Sequence, residues 1–225
     1  MYFTAPPPAG ITPSGCRAQA PFVTPMRRVF CAVIIHVMSC ALQSQAQSST
    51  AISAADRTVV PGQRVGAITF YSSLSVLQAL YGTKNVKPKM QPLPSGDTTP
   101  GARLFEGTDL QLDLLWDEEG RDKRVVEVRL TGPAWTFQNG LKTGLSIDEV
   151  ARINGRPFKI NGFDWHFGGY ASFDGGALAE GQGVRFAPTV VTSKHSPGSD
   201  KKLSSTDNDL RAAVPVVTQI AVWLR

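Results

Sequence analysis

The sequence predicts an α+β protein made of two tandem, divergent units, each a short helical element packed on an antiparallel β-meander. Three observations carry this prediction. Two short stretches combine a serine N-cap, apolar residues at helical spacing and a closing glycine: Ser73 to Tyr81 before Gly82, and Ser146 to Asn154 before Gly155. Each is followed by apolar segments of period two, punctuated by Gly, Asp and Pro turn residues. The glycine pair Gly62 and Gly66 ahead of the first helix returns with the same spacing as Gly140 and Gly144 ahead of the second, which points to an internal duplication.

Ahead of these units the chain carries an address. Residues 1–25 contain Pro6, Pro7, Pro8, Pro13, Pro21 and Pro25, and proline both fixes φ and removes a backbone donor, so neither helix nor central strand is expected. This stretch is expected to be a start assigned too far upstream, or else an N-terminal extension. Residues 26–46 have the layout of a secretory signal: Met26-Arg27-Arg28, an apolar run from Val29 to Met38, and the small-residue exit Ser44-Gln45-Ala46, with cleavage between Ala46 and Gln47. A membrane span needs about 20 predominantly apolar residues, and Val29 to Leu42 falls short while including His36 and Ser39. Val37-Met38-Ser39-Cys40 approximates a lipobox, so acylation at Cys40 and an outer-membrane lipoprotein form the alternative. The expected location is periplasmic or secreted.

Residues 47–57 are small and polar and read as a linker. The first unit, 58–135, opens at Thr58-Val59-Val60-Pro61-Gly62. Its helix is capped by Ser72 or Ser73 and buries Leu74, Leu77 and Tyr81. A Pro- and Gly-rich loop is expected from Lys87 to Gly101. Leu110 to Trp116 then alternates as a strand, with Leu110, Leu112, Leu114 and Trp116 on one face, and turns through Asp117-Glu118-Glu119-Gly120 into a strand carrying Val126, Val128 and Leu130.

The second unit, 136–225, opens with a capping box, Ser146-Ile147-Asp148-Glu149, and buries Val150 and Ile153. Strands are expected around Phe158, at Phe163 to Phe167, at Tyr170 to Phe173 and at Val184 to Phe186. The last spans Val216 to Leu224, with Val216, Thr218, Ile220, Val222 and Leu224 on one face.

Two segments of this unit carry a resemblance. Asn154-Gly155-Arg156-Pro157-Phe158, then Gly162-Phe163-Asp164-Trp165-His166-Phe167-Gly168-Gly169, resembles an NG-x-PF…GF-x-W-D-Y-GG signature of uncharacterised secreted or lipoprotein-like bacterial proteins. The overall plan is similar to the tandem helix-plus-sheet fold of the β-lactamase inhibitor protein and of small outer-membrane-assembly lipoproteins. The resemblance implies a fold and carries no catalytic residues. His166-Phe167 stands where Asp-Tyr is usual.

The chemistry is bounded by what the exported part retains. Arg17, Arg27 and Arg28 leave with the signal and no acidic residue does, so the net charge falls from +5 to +2 and nucleic acid is not implied as a partner. All three cysteines, Cys16, Cys31 and Cys40, lie before Ala46, which closes thiolate and disulfide chemistry beyond it. His166 and His195 remain, neither in zincin spacing, and no G-x-S-x-G elbow occurs. No cofactor and no metal is expected. Trp116, Trp135, Trp165 and Trp223 suffice as core anchors, with one or two left for recognition. The sequence therefore points to a non-catalytic envelope protein that binds an envelope or extracellular protein through a sheet face, meeting the membrane only if lipidated at Cys40. Phe163, Trp165 and Phe167 are assigned to the core, and Asp164, His166 and Tyr170 to the exposed contact edge. The alternatives are the Cys40 lipoprotein supporting outer-membrane assembly, and a small hydrolase or sugar-binding enzyme using Asp113, Asp164 or Asp174.

Overall fold

The computed structural model describes residues 53–117, 124–164, 167–190 and 201–225. Along the chain run β1 (Thr58–Val60), β2 (Arg64–Val65), β3 (Ile68–Thr69), α1 (Leu74–Tyr81), β4 (Val86–Pro92), β5 (Thr98–Leu104), β6 (Leu112–Trp116), β7 (Val125–Leu130) and β8 (Thr136–Phe137). There follow α2 (Ile147–Asn154), β9 (Lys159–Asn161), β10 (Ala171–Ser172), β11 (Gln182–Pro188), β12 (Lys202–Ser204), α3 (Asn208–Ala212) and β13 (Pro215–Trp223). This is a mostly-β α+β fold. The described residues all fall in one compact unit, Ser49–Arg225.

Of the three helices among the described residues, two form where the sequence places them, because their ends are chemically specified; α3, capped by Asp207, is not among those expected. Ser73 caps α1 by accepting from the Val76 amide, and Leu77 and Tyr81 are buried beneath it. Ser146 and Glu149 close the capping box of α2, and Gly155 ends that helix in the left-handed conformation its role requires. The two outer faces differ: α2 carries Asp148, Glu149 and Arg152, whereas α1 has no charged residue and leaves Val76 and Leu80 exposed.

Six strands make the main sheet, in the order β11-β13-β7-β6-β5-β4, with every neighbour antiparallel. Its inner face is a continuous apolar layer. Val86, Leu104, Leu112, Leu130, Ile220 and Val184 form one cross-strand row, and Ala102, Leu114, Val128 and Val222 the next. A second sheet, β3-β2-β1-β8, joins β8 in parallel to β1, with Thr58 opposite Thr136 and Val59 opposite Phe137. A third, β10-β9-β12, lies beside β11 through the Tyr170–Arg185 bridge.

Four expectations are corrected here. Lys87 to Gly101 is not a loop but most of the β4–β5 hairpin. Its prolines are tolerated because β4 is an edge strand, and because Pro100 lies beyond the β5–β6 ladder, which begins at Gly101. The single-face alternation from Val216 to Leu224 breaks at Thr218. There the register against β11 shifts between Arg185 and Phe186, so that Val217 turns inward and Thr218 is exposed. Among the described residues no strand spans Phe163 to Phe167. The Asn161 amide donates to Tyr170 O and the Gly169 amide to Asn161 O, so this stretch is the connection between β9 and β10. Finally, the end of the expected linker is tied down: Ala54 packs on the core, Asp56 pairs with Arg64, and Arg57 lies over the rings of Phe105 and Trp135.

Residues 26–46, expected as a signal, with Cys40 and Ala46, and also Gln47, Glu118, Glu119, Trp165, His166 and His195, lie outside the described residues. Among the described residues no helix is long and apolar enough to cross a membrane.

Candidate functional site

Period-two geometry sends one residue set of the main sheet inward and the alternate set to the outer face. That outer face has two halves with opposite character. At the β4–β6 end it is closed by its own hairpin. Arg129 Nη1 donates to Pro92 O at 2.6 Å, although β7 lies three strands from β4, roughly 14 Å away in a flat sheet. The end of the β4–β5 hairpin therefore curls over the sheet. The curl is sharp at Gly101, where a Cβ would stand 2.2 Å from Leu114 O and 2.5 Å from Gln91 Cγ.

Beneath this hairpin lies a polar cluster with its partners complete. Arg103 grips Asp113 with two bonds, Nε to Oδ1 at 2.7 Å and Nη2 to Oδ2 at 2.8 Å. The Gln91 amide adds a third donor at 3.1 Å. Arg129 Nε holds Glu127 at 2.6 Å. The hydrogen bonds and charge of Asp113 push the Arg103 guanidinium further above its already high pKa. A carboxylate so fully engaged serves structure: it fixes the strands against the hairpin that covers them.

The β11–β13 end is open. Gly183 faces Ala221, Arg185 faces Gln219, and Glu127 faces Trp223 across the ladders, all on the outer side. Trp223 is 47% exposed, although its strand lies in the interior of the sheet between β11 and β7. Its ring rests on Gly183, where a Cβ would stand 3.1 Å from Trp223 Cη2. Gly183 thus seats the end of the indole and Ala221 is buried beside it, while Trp223 and Arg185 remain the outward side chains at the two ends of this strip.

The Arg185 end is built by the glycine pair Gly168-Gly169. Gly169 has φ +79 and approaches β11 so closely that a Cβ would lie 2.0 Å from Phe186 O; only glycine meets both demands. The Phe186 amide donates to Gly169 O at 2.8 Å, and Arg185 Nε donates to Gly168 O at 3.1 Å. The guanidinium then lies over the Tyr170 ring, 5.3 Å from its centroid. Asn154 and Phe158 are structural too. The Asn154 side chain accepts from the Leu178 amide and donates to Arg156 O, while Phe158 packs between Phe173 and Phe186.

The expected contact edge is only partly brought together. Asp164 is exposed, Tyr170 is half-buried on the open face beneath Arg185, and His166 lies outside the described residues. Phe167, assigned to the core, is instead 38% exposed, because its stretch is a connection rather than a strand. Sequence reasoning missed Arg185 and left Trp223 unassigned among four tryptophans. The available signal was Trp223's place in β13, opposite in phase to Val222 and Leu224.

Asp174 is an exposed partner of Lys159 at 3.5 Å. An open cleft of about 660 Å³ runs along β1 and β8, where Glu180 is the one carboxylate among the lining residues, beside Gln182 and Asn139. Among the described residues no group of three or more His, Cys, Asp or Glu could hold a metal ion.

No family model matches the sequence, and no curated protein matches it. Among solved structures the chain is similar to the crystal structure of the uncharacterized protein yfeY from Escherichia coli. The likeness has a TM-score of 0.40 at 12% identity, covering 75% of this chain and 99% of that one.

Proposed function

We propose that this is an exported, non-catalytic protein of the bacterial envelope that binds a protein partner through the open end of its sheet's outer face. The observation that carries the reading is Trp223, half exposed on an interior strand and seated on a glycine. A tryptophan left in water within a sheet forgoes burial worth about 1.5–3 kcal/mol for a large apolar side chain, and Trp, Tyr and Arg are the residues that dominate binding hot spots. All three types stand on this face, as Trp223, Tyr170 and Arg185.

The carboxylates that a hydrolytic reading would use are engaged or dispersed. Asp113 is locked by Arg103 and Gln91 on the opposite half of the face, and Asp174 pairs with Lys159 beyond β10. Export rests on the sequence of residues 26–46, and the mature N-terminus decides its form. A chain beginning at Gln47 supports the soluble protein, and an acylated Cys40 supports the lipoprotein.

We also propose that the two halves, 58–135 and 136–225, descend from one duplicated unit. An offset of 78 residues superposes Gly62 on Gly140 and Gly66 on Gly144, and at that offset Thr58 and Val59 pair with Thr136 and Phe137.

The test is differential capture. Wild-type chain and the Trp223→Ala variant are used as baits against envelope extract. A partner retained by the first and lost by the second, with both baits equally folded, supports the reading. Identical capture by both overturns it.

A further inference from the structure

Resting on that sheet-face reading, we infer that the partner segment seated here presents a carboxylate to Arg185 and, about two to four extended residues away, an apolar side chain to Trp223. The charge balance of the face argues for the acid. Its other outward cations each have an acidic neighbour: Arg103 pairs with Asp113, Arg129 with Glu127, and Lys87 and Lys89 with Glu106. Among the described residues no carboxylate lies within ion-pair distance of Arg185. Its Nε is spent on Gly168 O and its plane on the Tyr170 ring, which leaves the Nη edge without a described donor contact.

A guanidinium held this way is set up for recognition. The planar fork matches a carboxylate with two parallel bonds, a geometry that lysine cannot supply. Because the Gly168 carbonyl and the Tyr170 ring already fix the side chain, less rotamer freedom is lost when a partner docks. The register shift beside Arg185 is a second device: the bulge at Thr218 locally bends the strand pair at the position where this side chain leaves it.

The spacing follows from the ladder. Arg185 stands opposite Gln219, and Trp223 lies four residues further along β13. Its indole reaches back over Gly183, two residues from Arg185, so the two groups are two to four residues apart, roughly 7–13 Å at strand rise. Between them Ala221 is buried and Gly183 lies under the end of the indole, so a partner's apolar side chain has the exposed part of Trp223 itself to pack against.

The experiment introduces a photoreactive benzoylphenylalanine at Gln219 or at Trp223 in the full chain, expressed and exported in the envelope. Crosslinked partner peptides are then sequenced by mass spectrometry. The expected result is one protein partner crosslinked from both positions, with Asp or Glu within about two residues of the Gln219 attachment and apolar residues at the Trp223 attachment. Arg185→Glu should lower the Gln219 crosslink at least tenfold, and Arg185→Lys should recover only part of it. A partner peptide without acidic residues at Gln219, or an Arg185→Glu yield equal to wild type, overturns the inference while leaving the sheet-face reading in place. Absence of a crosslink from both positions, or crosslinks to lipid or nucleic acid, overturns both.

Discussion

The indole of Trp223 lies across Gly183, so close that a Cβ at position 183 would stand 3.1 Å from Cη2 and 3.4 Å from Cζ2. The benzo end of the ring is packed there, while the residue as a whole stays 47% exposed. The arrangement needs both residues: a tryptophan out of phase with the apolar side of β13, and a neighbour on β11 with no side chain.

Gly183→Leu should therefore lift the ring without reaching the apolar layer behind the sheet. Stability is expected to change by no more than about 1–1.5 kcal/mol, since the site is on the outer face and only one side chain must move. Partner capture should fall as it does for Trp223→Ala. Chemical denaturation and the capture assay measure the two effects separately. A loss of several kcal/mol would show that Gly183 is buried against more than the indole.

Asp113→Ala should behave oppositely, destabilising the fold by about 1–3 kcal/mol because it removes both Asp113 bonds to Arg103, which keeps only Glu106, and leaves the Gln91 amide without its carboxylate. Asp113→Asn keeps the shape and should cost less. Urea unfolding of both variants checks the order. If neither variant is destabilised and a measurable turnover disappears instead, Asp113 is catalytic and the hydrolytic alternative stands.

Ser146→Ala should lower stability by about 0.5–2 kcal/mol through loss of the N-cap hydroxyl. Glu149 gives an independent readout. Its carboxyl sits below the usual range first because it accepts from the Ser146 amide and then from the Ser146 hydroxyl. The variant retains the amide, so its pKa should move only part of the way back. Carboxyl titration by NMR detects this, and a full return to the ordinary value would mean the box opens when the hydroxyl is removed.

Acid stability should depend on Asp56. The Thr58 amide, then the Thr58 side chain and Arg64, hold its carboxyl down from 3.8 to about 2. With the folded-state pKa depressed, the unfolded state binds more protons across that window. The contribution is present above the ordinary value and is lost as pH falls from about 4 toward 2. Asp56→Asn should flatten the pH dependence of unfolding in that window. An unchanged acid limb would show that the Asp56 contacts contribute nothing in solution.

What the sequence could reveal was local. The capping box, the Gly155 stop, the β6–β7 hairpin and the α+β class each follow from residues within one turn or one strand of each other. The misread positions depend on partners far along the chain. Pro88 and Pro92 signal a loop until β4 is known to be an edge, and Pro100 until the β5–β6 ladder is seen to begin at Gly101. Thr218 continues an alternating pattern until its register against Arg185 breaks it. The charge on Asp113 suggests a solvated or reactive carboxylate until the β4–β5 hairpin is seen to fold over it. Of the site, Tyr170 and the glycine pair were legible as a hairpin bend. Arg185 was not, because its orientation is set by a carbonyl 17 residues earlier.

The most direct measurement compares Trp223→Ala with Trp135→Ala for stability and for partner capture. Trp135 is 2% exposed, donates to Leu110 O and packs beneath Arg57, so its loss should cost about 3–5 kcal/mol and weaken capture only through unfolding. Trp223→Ala should unfold within about 1.5 kcal/mol of wild type, yet lose capture at least tenfold. If Trp223→Ala instead unfolds as badly as Trp135→Ala, or stays folded and captures the partner as wild type does, Trp223 is not the anchor of a docking face.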